Sequence, residues 1–98
     1  MPFNGPGNFP FTQAGITNGA PRASGVYGIF NSNEWIYVGE STDIETRLFE
    51  HLNGNSDQSA CILGRRPTGF TYETCPAQNR TTRESALIRE LGPSCNRT

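Results

Sequence analysis

Two short runs of β-branched and aromatic residues, Gly25–Phe30 and Trp35–Gly39, flank the polar tetrapeptide Asn31-Ser32-Asn33-Glu34 and lead directly into a segment of helical period. Such a combination admits little besides strand, tight loop, strand, helix. Ser41 or Thr42 is the expected helix cap. Thr42 and Glu45 fit the S/T-x-x-E capping box, and Ile44, Leu48 and Leu52 form an apolar stripe that ends before Gly54.

Loop length decides which face each hairpin side chain takes. A two-residue turn at Ser32 and Asn33 opposes Tyr27 to Val38 and sends Tyr27 and Tyr37 to opposite faces. A three-residue loop, Asn31 to Asn33 with Asn33 left-handed and a bulge, pairs Tyr27 directly with Tyr37. It also gathers Val26, Phe30, Ile36 and Val38 on the opposite, apolar face. The second register is expected, because it gives one core face and one face carrying two phenols. Gly25, Gly28 and Gly39 leave room for another backbone or a ligand to approach.

Downstream, residues 54–69 read as a long connection, with a short apolar patch at Cys61-Ile62-Leu63 followed by the Arg65-Arg66 pair. Phe70–Cys75 alternates and reads as a third strand. A second helix is expected from Thr81 or Thr82 to Leu91, stopped by Gly92 and Pro93. Glu84, Leu87, Ile88 and Leu91 follow helical spacing, so a carboxylate takes the first position of a buried stripe. That placement asks for a counter-charge, a metal or exposure at the helix end. Thr81-x-x-Glu84 also fits a capping box, in which Glu84 only ties down the helix start. The other candidates also have plain structural readings: cross-strand packing for Tyr27 and Tyr37, a surface Arg47, a half-buried His51, and a tail-anchoring role for Asn96.

Gly25-Val26-Tyr27 and Tyr37-Val38-Gly39 stand ten residues apart, tyrosine to tyrosine, and are followed by a helix bearing Arg47 and His51. Together with Glu84 in the second helix and Asn96 after a proline, this pattern resembles the GIY-YIG nucleases over about residues 24–96. Six positions agree in order. The resemblance implies an α+β fold, a small three-stranded antiparallel sheet flanked by helices. It implies hydrolysis of phosphodiester bonds at one divalent metal, Mg²⁺ or Mn²⁺, with Glu84 as metal ligand and Arg47 stabilising the transition state. Tyr27 is the expected acceptor of the attacking water's proton, with Tyr37 and His51 expected to position water or phosphate and His51 competing with Tyr27 for the role of base. Gly25, Gly39 and Asn96 support the site. Glu40 is a departure, since several members carry lysine just after the second motif.

Ninety-eight residues make one domain: residues 1–23, rich in Gly, Pro, Asn and Phe, read as an irregular arm, and residues 24–98 as the nuclease-like domain. Phe3, Phe9, Phe11 and Ile16 are its expected anchors. The cysteines Cys61, Cys75 and Cys95 are odd in number and lack C-x-x-C spacing, so neither a disulfide framework nor a zinc site is indicated. No apolar run reaches the about 18 residues of a membrane span, and no basic-then-apolar leader opens the chain, so a cytoplasmic protein without a membrane partner is expected.

Charge bears on partners. Residues 1–53 hold two arginines against five carboxylates and residues 54–98 six against four, with no lysine anywhere. Arg65 and Arg66 are candidates for a nucleic-acid backbone, since arginine grips phosphate bidentately. The expected partner is nucleic acid, DNA first, and so modest a basic charge leaves room for a protein that supplies targeting. The alternative is a catalytically silent module of the same fold that binds nucleic acid or protein, supported by Glu40 and the net charge of -1.

Overall fold

Eight elements follow one another in the computed structural model, which describes residues 2–96: β1 (Asn8–Pro10), α1 (Gln13–Gly19), β2 (Gly25–Phe30), β3 (Trp35–Ser41), α2 (Ile44–Leu52), α3 (Ser59–Gly64), β4 (Gly69–Thr74) and α4 (Ala77–Leu91). The fold is α+β. The three expected strands are present, all pairings are antiparallel, and the order is β1-β4-β2-β3. Central β2 is buried on both faces, as its near-continuous apolar composition requires.

On one face Tyr27, Ile29 and Phe70 pack with Ile44 and Leu48 of α2, Ile16 of α1 and Ile62 of α3. On the other, Val26 and Val38 pack with Leu87 of α4 and with Phe3. The arm is therefore not irregular: β1 adds a fourth strand beside β4 and α1 carries Ile16 into the core, so the anchors draw regular structure with them. Glu73 and Arg83 tie the second layer together. The Arg83 guanidinium grips both carboxylate oxygens of buried Glu73 at 2.6 and 3.0 Å and also donates to the Pro2 carbonyl, while the Asn4 amide donates to the same carboxylate.

The hairpin differs from its expected register. Tyr27 faces Gly39 and Ile29 faces Tyr37, with an irregularity between Ile29 and Phe30 after which Phe30 faces Trp35. The side-chain oxygen of Asn31 accepts from the amides of Asn33 and Glu34, closing a four-residue loop, and Asn33 is not left-handed. Ile36 is the extra residue of the bulge and joins the Tyr27 face rather than the Val26 face. The two tyrosines still share a face, as diagonal neighbours rather than a direct pair.

Three boundaries also move. Asp43, not Ser41 or Thr42, caps α2: its side chain accepts from the Thr46 amide, while Ser41 bonds Asp43 itself. The long connection contains α3, too short to register as a period and held by buried Ile62 and Ser59. Helix α4 begins at Ala77, a turn early, because Arg80 and Thr81 both bond Glu40 on β3 and anchor its first turns.

The cysteine reading is overturned as well. Cys61 and Cys95 form a disulfide that joins α3 to the C-terminal segment, leaving Cys75 free. Sequence counting missed it because the partners lie 34 residues apart and meet only in the fold. Among the described residues, no helix is long and apolar enough to cross a membrane. Oxidised protein should present one reactive thiol and reduced protein three. Closing a loop of this length contributes about 4 kcal/mol in the chain-entropy account, so Cys61→Ser should lower the melting temperature markedly while Cys75→Ser changes it little. Thiol titration under denaturing conditions with paired thermal melts checks both.

Candidate active site

Tyr27 has no exposed surface, and its position follows from the residue it faces. A Cβ at Gly39 would collide with the Tyr27 hydroxyl and ring and lie 2.9 Å from Cε2 of Tyr37. Glycine thus lets the phenol lie flat across β3. Gly25, two residues before Tyr27, has a different reason to lack a side chain: the backbone of β4 at Glu73 and Thr74 fills the space one would need. The Tyr27 and Tyr37 rings are tilted with centroids 6.2 Å apart, and the His51 ring stands 5.7 Å from the first and 5.2 Å from the second.

His51 faces the sheet because it follows Ile44 and Leu48 on the inner side of α2, and it is fully buried rather than half-buried. Its Nε2 lies 2.7 Å from the Tyr27 hydroxyl and its Nδ1 2.6 Å from Ser56 Oγ. Burial, then the charge of Arg47, lowers the His51 pKa to about 4, so the imidazole is neutral near pH 7. Burial, then Tyr37, raises the Tyr27 pKa strongly, and Arg47 only partly offsets this. Tyr37, half-buried, is raised by burial and by Glu84, again against Arg47.

Arg47, one turn before His51, donates to Glu50 at 2.7 Å and to Gln58 at 3.2 Å while remaining close to both phenols. Glu84 comes to the tyrosines from α4, beside the backbone amide of Glu40. Desolvation, followed by the charge of Glu40, raises its pKa, and among the described residues it has no ion-pair partner. The capping alternative does not apply. Thr81 lies inside α4 and donates to Glu40 rather than starting the helix.

Glu40, the departure from the family pattern, is not a loose negative charge. Arg80 donates to one of its oxygens at 3.0 Å and Thr81 to the other at 3.0 Å, and Arg80 also reaches Ser24. Asn96 donates to the Val38 carbonyl and accepts from the Val38 amide, both at 2.7 Å, as a substitute strand at the edge of β3. Arg65 and Arg66 lie elsewhere, at the end of α3 beside the hairpin loop. Arg65 pairs with Glu34 there, and Arg66 adopts φ 56°. Tyr27, Tyr37, Arg47, His51 and Glu84 therefore assemble, and Arg65 and Arg66 do not join them.

Sequence reasoning passed over Ser56, Ser59 and Arg80. The two serines sit in a polar stretch that reads as loop, and Arg80 precedes the expected helix, so only the fold gives them partners.

A buried tyrosine–histidine pair flanked by an arginine and an uncompensated carboxylate is a site equipped to handle protons and bind anions. The GIY-YIG catalytic domain profile matches residues 23–97, and the chain belongs to the GIY-YIG family. Among solved structures it resembles the magnesium-bound GIY-YIG N-terminal endonuclease domain of UvrC from Thermotoga maritima, at 23% identity and a TM-score of 0.72 over 88% of this chain and 100% of that one. A point mutant of that domain, bound to its catalytic divalent cation, aligns at 22% identity and a TM-score of 0.73 over 89% and 100%. At this identity the likeness establishes the fold. No curated protein matches the chain.

Two outcomes follow from the geometry. The folded His51 value lies below its ordinary 6.5, so between about 4 and 6.5 the folded chain binds fewer protons than the unfolded chain. Stability is complete above that window and falls as pH drops through it, by about 2 kcal/mol between pH 7 and 5. His51→Gln should flatten this part of a melting-temperature profile. Gly39→Ala should cost about 1–3 kcal/mol by overpacking the phenol, measured by denaturant unfolding.

Proposed function

We propose that the protein is a metal-dependent endonuclease that hydrolyses phosphodiester bonds in nucleic acid, DNA first. The observation that carries this reading is the convergence of Tyr27, Tyr37, Arg47, His51 and Glu84, drawn from two strands and from helices on both faces of the sheet. Glu84 suits a hard cation: it is half-buried, its charge is uncompensated, and Mg²⁺ needs only one or two carboxylates beside water and phosphate. Among the described residues no three acidic, histidine or cysteine side chains cluster, in keeping with a single-carboxylate site. When bound there, Mg²⁺ or Mn²⁺ supplies Lewis-acid stabilisation of the phosphate and the leaving oxygen.

The chain's own residues do the rest. Arg47 turns from Glu50 to the phosphate and offers its fork of donors to the charge that builds up in the transition state. Attacking water gives its proton to the Tyr27 oxygen while the phenol's proton passes to Nε2 of His51. No free phenolate forms, which suits a tyrosine whose ionisation is opposed by burial. The ester P–O bond breaks, and the leaving oxygen is protonated from solvent. Tyr37 positions the water.

Exposure favours one variation. Tyr27 is wholly covered whereas Tyr37 and Arg47 keep exposed surface, so in this second reading Tyr37, the phenol open to solvent, takes the proton of the attacking water. Comparing Tyr27→Phe with Tyr37→Phe separates the roles, since the base variant loses turnover and the positioning variant mainly raises KM.

Nicking of supercoiled plasmid with Mg²⁺ or Mn²⁺ tests the whole reading. Arg47→Ala should lower the rate about 10²–10³-fold. Glu84→Gln should fold normally, lose the Mn²⁺-dependent rise in melting temperature seen for the parent, and no longer nick. Equal nicking by parent and Glu84→Gln would remove this residue as the metal ligand.

A further inference from the structure

We infer that Ser56 and Ser59 are positioning residues that set the tautomer of His51, holding its proton on Nδ1 so that the Nε2 lone pair faces the Tyr27 hydroxyl. The inference rests on the reading of Tyr27 and His51 as the proton-handling pair. Five groups form one continuous chain: Tyr27 Oη to His51 Nε2 at 2.7 Å, His51 Nδ1 to Ser56 Oγ at 2.6 Å, Ser56 Oγ to Ser59 Oγ at 2.7 Å, and Ser59 Oγ to the Glu50 carbonyl at 3.3 Å. Each hydroxyl has one proton to give, and neutral imidazole has one.

The two ends determine the direction. The Glu50 carbonyl can only accept, so Ser59 donates to it. Ser59 Oγ already accepts from the Ser56 amide at 3.0 Å and takes its second bond from the Ser56 hydroxyl. With its proton used there, Ser56 can only accept from His51 Nδ1–H, which leaves Nε2 bare. At the opposite end the guanidinium of Arg47, a donor without acceptor capacity, lies beside the Tyr27 oxygen, so the phenol's proton has no other described acceptor than His51. The reverse direction leaves that buried phenol proton unbonded and withdraws the Ser59 proton from Glu50. Unmade bonds of this kind in a buried site each cost about as much as a hydrogen bond, so the forward order wins.

The consequence is functional. With the proton on Nδ1, Nε2 is a ready acceptor and the lone pairs of the Tyr27 oxygen face Arg47 and the site. With the proton on Nε2, His51 becomes a donor to Tyr27 and can accept nothing from it. Two neutral serines thus do for this histidine what a carboxylate does in a catalytic triad, without adding negative charge beside a phosphate.

His51 is the single histidine in the chain, so nitrogen-15 NMR of the imidazole reads the tautomer without assignment ambiguity. The parent should show Nδ1 protonated and Nε2 bare near pH 7. Ser56→Ala should move the proton toward Nε2 and lower kcat for plasmid nicking about tenfold to a hundredfold, part of the roughly 10²–10⁴ a placed base contributes, with KM little changed. Ser56→Thr, which keeps the hydroxyl, should restore both signals. A parent protonated on Nε2, or a tautomer indifferent to Ser56→Ala, overturns the inference. A parent protonated on Nδ1 that nicks nothing supports the tautomer assignment and instead defeats the nuclease reading.

Discussion

A phenol enclosed at the centre of a small sheet is the constraint on which the rest of this structure depends. Tyr27 has no exposed surface, so its hydroxyl needs an internal partner and its ring needs a residue opposite that occupies no volume. Gly39 provides the space and His51 the partner. Because His51 is itself enclosed, its second nitrogen also needs a partner, and that need propagates through Ser56 and Ser59 to the Glu50 carbonyl. Helices α2 and α3 are thereby locked to β2 by polar bonds running through an apolar layer. Such networks specify a unique arrangement when every member is satisfied, as each member is here.

The other side of the site is governed by charge. Three carboxylates, Glu40, Glu73 and Glu84, lie on or near the contact between the sheet and α4. Glu73 is matched by Arg83 and Glu40 by Arg80. Glu84 alone lacks a cationic partner among the described residues, and Glu40 adds to its burden. Read on its own, Glu40 appears hostile to phosphate. Its pairing with Arg80 and Thr81 shows instead how an acidic residue after the second motif is accommodated, with α4 lengthened by a turn to bring both partners to it.

Residue spacing carried much of the site. Strand period and loop length made Tyr27 and Tyr37 legible as same-face partners, and helical period placed Arg47, His51 and Glu84 beside the apolar stripes, but it was the resemblance to the GIY-YIG pattern that made those three candidates. The hairpin pairing was not legible, since an Asn31 side chain that bonds two amides closes a longer loop than residue preferences indicate. Residues 1–23 defied reading for a related reason: β1 has three residues and α1 seven, too few for either period to emerge from glycine- and proline-rich sequence.

The sequence by itself determined the α+β class, the central hairpin and the helix that follows it, and the order of the residues that line the site. These depend on local period and on side-chain type, which neighbours in the chain already express. Tertiary structure alone decided the Cys61–Cys95 bond, the Arg80–Glu40 pair and the serines behind His51, each joining groups from separate elements. It also decided protonation. The neutrality of His51 and the suppressed ionisation of Tyr27 come from desolvation, and desolvation belongs to the packed interior rather than to any stretch of the chain.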